Sequence, residues 1–273
     1  RQSEQVRKEV ETVNAQVRQG KDALKSGNIP AAMNHFDEAA KNLPLSAGEP
    51  AFSAGKQSEI ASLLYDASQN AAAQADKKRL NDEALDYARK AAAENPSDAS
   101  SQFMLGMDAM AKKDYAGAVA SFSKAAAGDG KNYAYYYNLG RAQYMAKQFQ
   151  DAKASFSKAA ELNANYAPAR YNLGLTNLRL DDRKAALDSF QKAHDINPAH
   201  ERSYLEEGRA LSQMKEYKAA VGAYRNVLRI NNGNRAAWQE LGSLYYQTES
   251  YANAENAFTQ ALSLLPSGAE DPL

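Results

Sequence analysis

The sequence predicts an all-α protein built of stacked helix pairs, and three observations carry that prediction. The first is a period. Glycines stand at Gly106, Gly140, Gly174, Gly208 and Gly242, each 34 residues after the last. The second is that independent columns keep the same step. Alanine recurs at Ala84, Ala118, Ala152, Ala186, Ala220 and Ala254, and an aromatic at Phe122, Phe156, Phe190, Tyr224 and Phe258. A small residue follows three places later, at Ala125, Ala159, Ala193, Val227 and Ala261. A fixed period of this length marks an array of one supersecondary unit. The third is spacing: within a period, apolar residues recur at three- and four-residue steps and do not alternate, which places them on one helical face.

Each period holds two helices. In the 133–166 copy a first helix is expected near 135–146 and a second near 149–162. Gly140 and Ala152 mark their close crossing, where a larger side chain would cost about 1–3 kcal/mol by overpacking. Phe156 and Ala159 are expected to face the first helix of the next copy. Breakers end each second helix: Pro44, Pro96, Gly130, Pro198, Asn232 and Pro266. Ala164 departs from this column, flanked by Asn163 and Asn165. One helix pair cannot cover its own apolar face, so neighbours stack into a shared core.

Along the chain, residues 1–46 comprise an N-terminal extension and a first copy at 13–46, with Gly20, Ala32, Phe36, Ala39 and Pro44. Residues 47–64 are an insertion. The stretch PLSAGEPAFSAGK, with Pro44, Gly48, Pro50 and Gly55, reads as a loop, and KQSEIASLLYDASQNAAAQA reads as one long helix, an extended first helix of the degenerate copy that follows. Residues 65–98 form a degenerate copy that keeps Ala84, Ala91 and Pro96 but has Ala72 where glycine is expected. Five regular copies fill 99–268, and 269–273 is a tail. The expectation is a single solenoid domain.

The copy at 235–268, with Trp238, Leu241, Gly242, Ala254, Phe258, Ala261 and Pro266, resembles the tetratricopeptide repeat (TPR) motif, as do those at 133–166 and 167–200. Two copies depart from it: Gln102 replaces an aromatic and Glu207 replaces a leucine. The resemblance implies a right-handed α–α superhelix, a TPR solenoid of about seven helix-turn-helix repeats, with the first helices lining a concave groove. Packing accounts for Leu139, Gly140, Leu173 and Gly174, and for Tyr115, Phe149, Tyr217 and Tyr251.

Function must sit on the face that packing leaves free. In the 133 and 167 copies the candidate groove residues are Tyr137, Asn138, Arg141, Tyr144, Tyr171, Asn172 and Arg179. In the later copies they are Arg202, Glu206, Arg209, Glu240 and Tyr246. Tyrosine brings large rigid contact area with a hydroxyl. Asn138 and Asn172, one repeat apart, resemble the peptide-gripping amide ladders of the family. The arginines could pair with partner carboxylates; alternatively Glu and Arg pair with each other on a solvated surface. The family's carboxylate clamp for chaperone tails is matched only at Asn172 and Arg202, so chaperone-tail binding is not expected.

Composition narrows the class. Lys plus Arg and Asp plus Glu are both 33 in 273 residues, a net charge of zero. That removes the basic field of a nucleic-acid binder. Without cysteine there are no disulfides, thiolate metal sites or cysteine nucleophiles. No apolar run of about 18 residues spans a membrane. His35, His194 and His200 lack the i, i+4 pairing of a helical metal site, and His194 reads as a packing or surface residue. Gly128–Lys131 (GDGK) is not a phosphate loop, because Ala125 and Asn132 break the motif. Asp181 and Asp182 lie in a turn. No catalysis, cofactor or metal is therefore expected.

The leading reading is a scaffold that binds a peptide segment or helix of a protein partner in the groove, in a bacterial envelope assembly. The alternative is a small-ligand-binding accessory subunit of a transporter or secretion system. The chain starts at Arg1, not Met, and its repeats resemble those of exported bacterial TPR proteins and lipoproteins; the expectation is a periplasmic or lipid-anchored protein, with a cytoplasmic location as the alternative. The last copy lacks a capping helix and is expected to expose Phe258, Leu262 and Leu265, which favours a homodimer through that end.

Overall fold

The computed structural model of the chain describes residues 2–43 and 50–265. Among them, fourteen α-helices follow one another, and no helix is long and apolar enough to cross a membrane. Pro44, Gly48, Pro266 and the tail fall outside the described residues.

The chain forms two compact units, Arg1–Ala142 and Gln143–Leu273. The first holds α1 (Gln2–Lys25), α2 (Ile29–Lys41), α3 (Pro50–Asn70), α4 (Gln74–Glu94), α5 (Ala99–Ala111), α6 (Tyr115–Gly128) and most of α7 (Tyr133–Met145). The second holds the end of α7 and then α8 (Phe149–Leu162), α9 (Ala167–Arg179), α10 (Arg183–Ile196), α11 (Glu201–Gln213), α12 (Tyr217–Ile230), α13 (Arg235–Gln247) and α14 (Tyr251–Ser263).

The glycine column is a close-approach column, and its partner is the aromatic of the same copy. A Cβ on Gly174 would lie 2.4 Å from the Phe190 ring, on Gly106 2.6 Å from Phe122, on Gly208 2.6 Å from Tyr224, and on Gly242 2.7 Å from Phe258. The first copy repeats this, with Gly20 against Phe36 at 2.4 Å. The expectation that this aromatic faces the next copy is thus extended. The ring lies across its own first helix, because only a missing side chain admits a ring there, and it reaches the next helix as well. Tyr224 packs in one cluster with Leu241 and Leu244 of α13.

Two further columns make the turns. Each regular first helix ends in the same motif. The amide of Lys113 donates to the Met110 carbonyl and that of Asp114 to Ala109, and the pattern recurs at Lys147 and Gln148, Asp181 and Asp182, Lys215 and Glu216, and Glu249 and Ser250. This Schellman geometry needs a left-handed residue. Gly27 supplies it in the first copy, but later copies hold Lys113, Lys147, Asp181, Lys215 and Glu249 there, at φ between 58° and 63°. A non-glycine residue in that region costs about 1–2 kcal/mol. Lys147→Gly and Lys215→Gly are therefore each expected to stabilise the protein by about 0.5–1 kcal/mol after glycine's own entropic cost. The check is a higher urea midpoint at unchanged slope.

The turn between copies is made by a column the breaker residues had obscured. Asn95, Asp129, Asn163, Asn197 and Asn231, again 34 apart, each accept at the side chain from the amide two residues on. Their own amides donate back to the last turn of the helix. This Asx turn ends α8 where Ala164 stands in place of proline.

The second copy differs most from its expected form. Pro50 and Gly55 are not loop residues: α3 begins at Pro50, a position that proline tolerates because the first helical amides have no partner in any case. Nor does the helix run on through 71–75. It ends at Asn70, whose side-chain amide donates to the Asp66 carbonyl, and Ala71–Ala73 form the turn. Ala72 is accordingly an exposed turn residue and not the glycine equivalent. The insertion thus lengthens the copy, giving α3 and α4 21 residues each against 13 or 14 in the regular copies. Gln57 and Ser58 on α3 bond to Glu94 and Asp98 at the end of α4 and the start of α5, at 3.0 and 2.6 Å.

Candidate functional site

In the second unit the first helices of successive copies touch in sequence, α9 against α11 and α11 against α13. They form one wall, and it carries Tyr171, Asn172, Arg202, Glu206, Arg209, Glu240 and Tyr246. Tyr144, at the end of α7, lies within electrostatic reach of Tyr171, together with Arg202, Glu206 and Arg209. Burial, with Glu206 assisting, raises the Tyr171 hydroxyl above the usual phenol range, so it is a neutral donor at any physiological pH. Its ring packs on Phe190 and His200, at 6.0 and 5.1 Å between centroids.

The charged residues of the wall are mostly joined to one another. Arg209 donates from Nε to Glu240 at 2.8 Å and from Nη1 to Glu206 at 2.9 Å, which ties α11 to α13. This is the internal pairing that the sequence left open as the alternative to partner contact. The opposing carboxylates lie one turn and one copy away, within reach of a single guanidinium. Arg202 is different: it is exposed, and no ion pair within the described residues holds it.

The asparagines do not form a free ladder. The Asn172 amide donates to the Pro168 carbonyl at 2.9 Å, and that of Asn138, in the first unit, donates to Ala134 at 2.9 Å. A short amide one turn above a carbonyl bonds its own helix more readily than it reaches outward. Asn138 is 9% exposed and accepts from Arg141, whose guanidinium lies 5.9 Å from the Tyr137 ring. Tyr137 and Tyr171 are half-buried, with part of each ring still open. Arg179 sits over the Phe149 ring at 4.8 Å, and Tyr144 packs edge-on against the same ring at 5.4 Å. Tyr246 is the most open, 64% exposed and edge-on to Tyr251.

At the end of the second unit Leu262 on α14 and Leu264 just after it are exposed, while Phe258, seated on Gly242, and Leu265 are partly covered and so less open than expected. His194 is buried, not surface-exposed. Its Nε2 lies 3.1 Å from Glu207 Oε2, and its ring stacks on Tyr204 at 4.1 Å. The leucine-to-glutamate departure at Glu207 is thus matched by a histidine from the preceding second helix. Burial pushes the Glu207 carboxyl up, against the pull of His194. Among the described residues no cluster of His, Asp and Glu could hold a metal.

Comparison with known proteins fixes the family. The tetratricopeptide repeat model matches residues 103–167, 137–201 and 205–269, more than half of the chain. The chain belongs to the tetratricopeptide repeat family. Solved TPR structures resemble it. A crystal structure of MamA is 27% identical with a TM-score of 0.58, covering 61% of this chain and 91% of its own. YrrB, described as a TPR protein with an unusual peptide-binding site, is 23% identical with a TM-score of 0.57, covering 66% and 93%. PilF of Pseudomonas aeruginosa is 21% identical with a TM-score of 0.62, covering 78% and 95%. No curated protein matches the chain.

Proposed function

We propose that this TPR chain is a non-catalytic interaction scaffold that holds a peptide segment or helix of a partner protein against the wall of α9, α11 and α13. The observation that carries the reading is the state of that wall: three first helices side by side, with the half-buried Tyr171 next to the exposed, uncommitted Arg202. The Glu206–Arg209–Glu240 bridge serves as a rigid floor, because Arg209 is held from both sides and its charge is already balanced by two carboxylates. Tyr171 supplies area and a hydroxyl, and Arg202 supplies charge for a partner carboxylate. YrrB, alike in fold, is a TPR protein with a peptide-binding site, which is in keeping with this use of the architecture. A bacterial envelope assembly, with the protein periplasmic or lipid-anchored, is the setting we propose, by likeness of the repeats to exported bacterial TPR proteins.

The test is site-specific photo-crosslinking in cells. A crosslinking residue at Arg202 is expected to capture a discrete protein adduct, and one at Lys192, on the outer face of α10, is not. The adduct is expected to weaken at least severalfold when Tyr171 is also changed to Ala. Equal adducts from both positions, or none from Arg202, would overturn the reading.

A further inference from the structure

The first unit has an open cavity of about 530 Å³ where the turn of the first helix pair meets the flank of the second. Its cause is the lengthened copy. Gly27 and Ile29, at the α1–α2 turn, line the same cavity as Leu63 and Leu80, which lie about two turns short of the α3–α4 turn. At this end the α3–α4 pair therefore reaches beyond the α1–α2 turn, and among the described residues no helix covers the face that projects. The floor is apolar, built from Leu24, Ile29, Leu63, Ala67 and Leu80. Leu63 and Ala67 stand one turn apart on α3, and the line continues through the polar Asn70, where α3 ends, to Ala71 in the turn. From Leu63 to Asn70 it runs about 10 Å, or two turns of a helix.

The rim is charged, and its charges are arranged by side. Lys21 and Lys25 project from the last turns of α1; Asp66 on α3 and Asp76 on α4 stand on the other walls. Lys25 makes only a loose, exposed pair with Asp22 at 3.7 Å. No ion pair within the described residues joins the lysines to Asp66 or Asp76. In the second unit Arg209 ties two carboxylates of the wall together, whereas here both signs are left facing the opening.

We propose that this overhang is a second docking site, for an amphipathic helix of a partner protein with an apolar ridge at i, i+3/i+4 and i+7, one acidic flank and one basic flank. The helix is argued from the stacking: on its other side the α3–α4 pair packs against a helix of the next copy, α5, and the described residues offer no strand edge for an extended segment. The zwitterionic flanks are argued from the rim, since an occupant of one sign would meet like charge on one wall. The site is independent of the α9–α11–α13 wall and stands or falls without it.

The experiment uses the full chain and three helix-stabilised synthetic peptides that share the same leucine ridge: one with an acidic and a basic flank, one acidic on both sides, one basic on both. In fluorescence anisotropy at low salt, the mixed peptide is expected to bind about tenfold tighter than either uniform one. Lys21→Glu with Lys25→Glu, both at exposed positions, is expected to shift the preference to the doubly basic peptide. Tyr171→Ala with Arg202→Ala, on the other wall, is expected to leave all three affinities unchanged. Absence of binding, equal affinity for the three peptides, a preference unmoved by the lysine changes, or binding of dodecanoate alone would each overturn the proposal.

Discussion

Truncating Phe190 to alanine is expected to cost about 3–5 kcal/mol, because the ring is fully buried and its loss leaves a cavity between α9 and α10. Its edge lies over Gly174, and the ring packs tilted against Tyr171. The loss should appear as a lower urea midpoint and as lost amide-exchange protection in α9 and α10, the two helices the ring joins. Gly174→Ala tests the same contact from the other side. The added methyl gains about 1 kcal/mol of helix propensity but enters the ring at 2.4 Å, so the net effect should be destabilising. The double change is diagnostic. With Phe190 already alanine, the methyl at 174 has room and fills part of the cavity, so Gly174→Ala should turn stabilising. Additive losses would mean that glycine and ring do not meet.

Removing His194 is the second large effect, and it carries a pH signature. His194→Ala leaves Glu207, with a side chain 17% exposed, without its partner, a change expected to cost about 3 kcal/mol at pH 7.5. The sign with pH follows from burial, which holds the Glu207 carboxyl above its unfolded value. The folded form then binds more protons than the unfolded form. This contribution to stability is fully present below the unfolded carboxylate pKa and is lost as pH rises through the raised folded value. The His194→Ala deficit should therefore shrink from pH 7.5 to pH 5, and Glu207→Gln in the same background should abolish that trend. His194→Ala with Glu207→Leu restores the family's leucine and is expected to recover most of the stability, since apolar replacement of a buried pair is often neutral or better. A deficit of equal size at both pH values would show that Glu207 is not held in a desolvated site.

The five regular copies and their pairing were legible because period and face are written directly in residue type. Gly106, Gly174, Gly208 and Gly242 are fixed by steric exclusion, and no other residue fits beneath a ring at that distance. The Asn95–Asn231 column was equally legible as a 34-residue step, although proline and glycine drew the reading away from it. The α3–α4 pair was legible only in part: its long first helix was, but its start at Pro50 and its turn were not. Its turn, Ala71–Ala73, is made of strong helix formers, and it exists only because α4 must return against α3 to bury Leu80 and Ala84.

The candidate groove shows the same limit. Helical geometry put Tyr171, Arg202 and Arg209 on one face, as sequence allows, because a face depends on spacing within one helix. Whether Arg209 is free or held depends on Glu240, which lies on the next first helix, 31 residues away. Whether Asn172 points outward depends on competition from a carbonyl on its own helix. The sequence by itself determined the repeat, the helices and the family. Tertiary structure alone decided which charges remain available, how His194 and Glu207 meet, and where a long helix pair overhangs a short one, because those are set by distances between elements that no local pattern encodes.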